Sequence, residues 1–239
     1  MNQYMIAKAA AVVVLGAALA APVAAANSSG TLNATLNVTG TLSPGACNVS
    51  FVGGSDIDYS NITSNSLSAT NYTALAEHSK DLQVACGANT NAYVSVQDNR
   101  STSAIRAAAM KTALGNASLA DTQVFGLGTS GTASVGAYTI SMGPASVVTA
   151  FGGTATTQPA VLSSADKTTW TASTTPVALT SGGAQYYSAG PSGTNPTPVA
   201  ARTWTFPLSV VAALNNTTDL PVKEDVPLDG SATFTVSYQ

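Results

Sequence analysis

The residues able to do chemistry are few. His78 is the only histidine, and it follows Glu77 in a polar run. A serine or cysteine nucleophile needs a histidine oriented by a third group, and the sequence holds no G-x-S-x-G elbow to present a serine. His78 therefore reads as a surface residue. Asp56 and Asp58, and the neighbours Glu224 and Asp225, are the densest carboxylates, yet they lack the ligand spacing of a calcium loop and read as solvated turns. Gly126-Leu127-Gly128 has no lysine to complete a phosphate loop and reads as a strand end. Trp170, Trp204 and the pair Tyr186-Tyr187 are the aromatic groups a sugar could stack on. Core packing is the expectation for Trp204, and Tyr186 and Tyr187 in a Gly-rich stretch form a candidate ligand loop. No catalytic set, metal site or cofactor site emerges, so the chain is not expected to be an enzyme.

Two cysteines, Cys47 and Cys86, complete the reactive inventory. Zinc would need more ligands than two sulfurs and a distant His78. Whether they pair depends on compartment, and the first residues speak to that. Lys8 precedes an apolar run from Ala9 to Ala21, with Pro22 and then Ala24-Ala25-Ala26. This is the pattern of a signal peptide over residues 1–26, with a mature chain expected from near Asn27. The run is too short and too alanine-rich for a spanning helix. An exported chain with two cysteines is expected to bridge them, and closing that loop would stabilise the fold by about 4 kcal/mol on the chain-entropy estimate. Sequons at Asn33, Asn37, Asn48, Asn61 and Asn71 follow from the abundance of Asn and Thr.

Charged residues make up 8% of the chain and the net charge is −3. Without a basic patch, nucleic acid is an unsuitable partner. A composition rich in Gly, Ser, Thr, Asn and Ala suits either a turn-rich β-domain or a disordered stalk, and the periodic segments favour the former.

The strongest of these is Thr31 to Leu42, where Leu32, Ala34, Leu36, Val38, Gly40 and Leu42 alternate with Thr and Asn. Period two over this length is that of a half-buried strand, extending roughly 40 Å at about 3.3 Å per residue. It is longer than most strands of a compact domain, so part of it is expected to pair elsewhere. Gly230, Ala232, Phe234, Val236 and Tyr238 repeat the alternation at the other end. Between them, Cys47 to Val52, Lys80 to Cys86 and Ala92 to Gln97 read as strands, the second with Leu82, Val84 and Cys86 inward. Ile57 to Ile62, Thr122 to Leu127, Ser134 to Met142, Ser146 to Phe151 and Asp219 to Val226 are further extended pieces. Ser103 to Leu114 is a candidate short surface helix. Arg202 to Ala213 is a strong strand in which Pro207 suggests a bulge or an edge. Residues 152–201 read either as edge hairpins or as a long excursion. Short strands at roughly ten-residue spacing imply one all-β, Ig-like sandwich over residues 43–239, with residues 27–42 as an extra N-terminal strand and a long insertion around 100–201.

The combination of a signal peptide, an alternating N-terminal strand, a cysteine after it, a second about forty residues on, and a closing strand with tyrosine next to last resembles the pilin subunits of bacterial chaperone–usher fimbriae. NVTGTLSPGACNV resembles the segment between a pilin donor strand and its first cysteine strand, and LDGSATFTVSYQ resembles the pilin C-terminal strand. FPLSVVAAL to LDGSATFTVSY is also similar to a pilin-related domain of unknown function found among chaperone–usher genes. Val226 stands near where pilins carry a glycine, and the chain is longer than an ordinary pilin.

The resemblance implies a fimbrial structural subunit, exported through the periplasm to the cell surface. It would be assembled by donor-strand complementation with a periplasmic chaperone, an outer-membrane usher and neighbouring subunits as partners. Leu32, Ala34, Leu36 and Val38 would be the donated side chains, and Phe234, Val236 and Tyr238 would lie on the strand facing the acceptor groove. The alternatives are a tip or minor adhesin for a glycan or host protein, using the 152–201 region, and a free periplasmic sandwich whose first strand pairs in cis.

Overall fold

Alternation decides where the chain becomes strand, and the strands fall into two large antiparallel sheets beside a small hairpin at residues 129–134. The computed structural model describes residues 46–149 and 152–239. The signal-like segment and the alternating stretch with Leu32, Ala34, Leu36 and Val38 lie outside the described residues. The first elements are β1 (Cys47–Phe51), β2 (His78–Thr90), β3 (Ala92–Asp98) and the helix α1 (Ala108–Ala113). Then come β4 (Gly136–Met142), β5 (Ser146–Val148), β6 (Ala160–Ser164), β7 (Thr171–Ser173) and β8 (Val177–Ala178). The chain closes with β9 (Tyr186–Gly190), β10 (Ala201–Leu214) and β11 (Ala232–Tyr238).

One sheet has the order β1-β2-β10-β4-β8, with β5 and shorter pieces beside β10 and β4. The other has the order β7-β6-β9-β3-β11. The stretch 100–201 therefore feeds both sheets: in its second half β6 and β7 form one hairpin at an edge, β9 lies inside the second sheet, and β8 joins the first.

β10 is the spine. Trp204, Phe206, Leu208, Val210 and Ala212 all face the core at 8% exposure or less, and Leu82 and Val84 of β2 beside them are at 0%. Burying each large side chain contributes about 1.5–3 kcal/mol. Trp204 and Phe206 stack at 5.7 Å, so Trp204 is a core residue as the sequence suggests. Pro207 sits inside this central strand, not at an edge. It falls where the neighbour changes from β5 to β4: its carbonyl accepts the Gly143 N–H at 2.9 Å on the last rung beside β4, so its missing donor interrupts no continuous ladder.

Outer faces are covered in part. Met110 and Leu114 of the α1 region, at 0% and 2% exposure, pack with Ala137 and Ala213 on the back of the first sheet. The expected surface helix is thus shorter than Ser103 to Leu114 and is pinned by its apolar side. On the back of the second sheet, Tyr93 stacks on Trp170 at 5.4 Å. Ile57 to Ile62 and Asp219 to Val226 form no strand. Their apolar residues fall near a core surface, but no neighbouring strand edge receives their backbone.

Candidate functional site

Two strand edges lie side by side. Cys47 and Cys86 occupy one cross-strand pair and form a disulfide, which ties β1 to β2 as the outermost strand of the first sheet. β11 is the outermost strand of the second sheet and pairs with β3. The two are neighbours, since the rings of Phe51 and Phe234 meet edge to face at 5.4 Å. No strand among the described residues pairs with the far side of either.

The backbone bonds fix which groups face outward. Asn91 and Gln239 exchange both N–H···O bonds, at 3.0 and 3.2 Å. An antiparallel ladder alternates from such a pair. The N–H and C=O groups of Ala232, Phe234, Val236 and Tyr238 therefore point away from β3. On β1, Gly87 donates to the Ala46 carbonyl and Val52 donates to that of Asp81, so the groups of Val49 and Phe51 point away from β2. Such edges are templates for another strand.

Beyond the Phe51–Phe234 contact the sheets part over an apolar cleft of about 390 Å³. Tyr138, Ile140, Leu208, Val210 and Ala212 form its floor, while Leu228, Gly230, Ala232 and Phe234 form one wall. A second, more polar cleft of about 750 Å³ shares Ile57, Tyr59 and Leu228 with it and reaches Leu214. Leu208, Val210, Ala212 and Leu214 recur at every second residue, so the floor runs roughly 20 Å at about 3.3 Å per residue.

Polar groups set the wall. Arg100 donates from Nε and Nη2 to the Asp229 carboxylate at 2.8 and 3.0 Å, and the Asp229 N–H reaches the Leu127 carbonyl at 3.1 Å. Gly230 follows, and a Cβ there would stand 3.0 Å from Leu127 Cδ2 and 3.1 Å from Tyr138 Cε1. A side chain there would press on both, so glycine suits this close approach of wall to floor. Asp98, 3% exposed, accepts from the Arg100 N–H at 2.8 Å and the Gly126 N–H at 3.0 Å. Burial, and secondarily the Asp98 charge, push the Tyr138 phenol far above its usual range, so it remains neutral and acts as an apolar floor with a polar end.

Phe234 and Val236 are half-buried on the groove side of β11, whereas Tyr238 is 44% exposed at its far end, where Val49 of β1 is 43% exposed. Tyr186 and Tyr187 do not stand on a loop: both belong to β9. Tyr187 is 1% exposed, and its hydroxyl accepts the Thr180 N–H at 2.8 Å. Tyr186 lies beneath the Lys167 ammonium, 4.3 Å from its ring centre, and Trp170 is 8% exposed. These aromatics fold against the protein and leave no flat stacking platform. His78 is half-buried against Tyr59, ring to ring at 4.6 Å, and Glu77 accepts from Ser209 Oγ. Among the described residues no three His, Cys, Asp or Glu side chains converge as a metal site. At Gly126 a Cβ would meet the Arg100 carbonyl at 2.1 Å, so that glycine serves close packing at a strand end. The sequence reading missed the Arg100–Asp229 clamp, which joins residues 129 positions apart and leaves no local signature.

Residues 36–139 match the model of a family described as "Protein of unknown function (DUF1120)", which covers less than half of the chain. No curated protein matches the sequence.

Proposed function

We propose that the chain is a structural subunit of a surface fimbria whose groove takes a strand from another molecule. A periplasmic chaperone fills it first, and residues 31–42 of the next subunit follow at an outer-membrane usher. The observation that carries this reading is the match of spacings. The groove floor presents four apolar residues at every second position, Leu208 to Leu214. Leu32, Ala34, Leu36 and Val38 repeat the same interval. The outward backbone groups of Ala232 and Phe234 beside it offer the ladder that β-strand addition uses.

Three large donor side chains would each bring about 1.5–3 kcal/mol on burial. Each new backbone bond would add about 0.5–1.5 kcal/mol net, against about 1–2 kcal/mol per residue for ordering the extension. Asn33, Thr35 and Asn37 suit the solvent side.

Chain reach favours donation between molecules. β11 runs from the groove toward the Cys47 end, so an antiparallel addition, the more stable pairing, with Leu32 to Val38 matched to Leu208 to Leu214 would put Val38 near Leu214. Thr203 pairs with Ala85, next to Cys86, and Leu214 lies eleven residues further along β10. That is roughly 36 Å at about 3.3 Å per residue. The nine steps from Val38 to Cys47 span at most about 32 Å. A subunit adding its own segment antiparallel falls short, and its neighbour's segment does not. The adhesin reading gains nothing from the buried aromatics of 152–201.

The test is the solution mass of the full chain released from its chaperone. The wild type is expected to form assemblies, and Leu36→Asp to keep the one-to-one chaperone complex without assembling. A wild type that stays monomeric, with Leu36→Asp unfolding it, would overturn the reading in favour of a free sandwich.

A further inference from the structure

The groove is not empty of its own chain. Residues 55–62 cross it, and Ser55, Ile57 and Tyr59 line the first cleft while Ile57 to Thr63 line the second. Ile57, Tyr59 and Ile62 are half-buried and pack on the core. Their backbone is held very differently from that of a strand. Among the described residues, no backbone-to-backbone hydrogen bond involves residues 55–62. The local support is a turn in which Asp58 Oδ1 accepts the Ser60 N–H at 2.7 Å, with Ser60 at φ 56°. Among the described residues the Tyr59 hydroxyl is buried without a partner, which costs its hydration with no bond in return.

Turns mark both ends. Gly53 and Gly54 have φ of 74° and 89° with nothing within 4 Å of a Cβ position, and a short turn at Ser64–Ser66 closes the other side. Lys80 Nζ tethers the hinge through the Gly54 carbonyl at 3.1 Å.

We infer that residues 55–62 are a displaceable strap: they cover the apolar floor while the groove waits, and leave when a strand with a full backbone ladder enters. The inference rests on the strand-acceptor reading of the same groove and adds how access to it is controlled. Three apolar side chains shield the floor from water, and because no ladder bonds are broken on departure, an entering strand gains its own ladder without losing one. The strap's population sets the fraction of binding-competent molecules and hence the apparent affinity.

A fluorescent peptide of residues 31–42 tests this against the full chain carrying Leu36→Asp, so that the chain's own segment does not compete. On that background Ile57→Ser loosens the strap, and Tyr59→Phe tightens it by removing the orphaned hydroxyl. Peptide association should be at least about threefold faster for Ile57→Ser and about threefold slower for Tyr59→Phe, the two variants moving the competent fraction in opposite directions. Equal rates for all three proteins would overturn the strap and leave the acceptor groove standing. Absence of binding to any of them would overturn both.

Discussion

Asp166 illustrates how local bonds fix a charge. Its Oδ1 accepts the N–H groups of Thr168 and Thr169, both at 2.8 Å, and Ser164 Oγ donates at 2.9 Å. These bonds, the Thr169 backbone first, hold its carboxyl well below the ordinary carboxylate range. The unfolded chain therefore takes up this proton first as pH falls. The stabilisation from Asp166 is whole above about pH 4 and is lost progressively in the acid range below. Asp166→Asn should flatten that part of the acid limb of a melting-temperature profile while leaving its shape above pH 6 unchanged; an identical acid limb would contradict this. Such a turn is legible in the sequence, because Ser164, Asp166 and Thr168 are close neighbours. Asp98 is not. It reads as a turn residue, whereas its partner Gly126 is 28 positions away, and no spacing encodes that. Tyr187 fails to read for a similar reason. Neighbouring glycines mark a loop, yet its ring fills the core because β9 lies between β6 and β3.

At the scale of elements, strict alternation was a sound guide wherever a strand found a partner. β2, β3, β10 and β11 lie where the period-two residues place them, and Leu82, Val84 and Cys86 point inward. Ile57 to Ile62 shows the limit. Its apolar residues seek the core, but extended backbone becomes strand only beside a free edge with matching register, and here it crosses a gap between sheets. The helix fails in the opposite sense. Alanines around α1 hide the fact that Met110 is wholly buried between the helix and the sheet behind it. Met110→Ala should cost about 2–5 kcal/mol, read as a lower urea midpoint at unchanged slope. A change under about 0.5 kcal/mol, the level of an ordinary surface substitution, would contradict the packing assigned to α1.

For the whole molecule, the sequence announces a β-sandwich but not its strand order, since pairs such as β1 with β2 or β11 with β3 form between distant segments. That order is what brings β1 and β11 together as outermost strands, among the described residues, over one apolar floor, and the function proposed here follows from it. The long alternating segment at residues 31–42 could be recognised from its letters alone; the groove of matching length required the fold. The most direct measurement is a photo-cross-link from a benzoylphenylalanine at position 36, in assemblies grown from an equal mixture of isotopically heavy and light chains and read by mass spectrometry. Cross-links are expected from position 36 to residues of β4 and β10, among them Tyr138 and Ala212, joining heavy chains to light ones. Cross-links confined to single chains, or landing outside the groove, would contradict it.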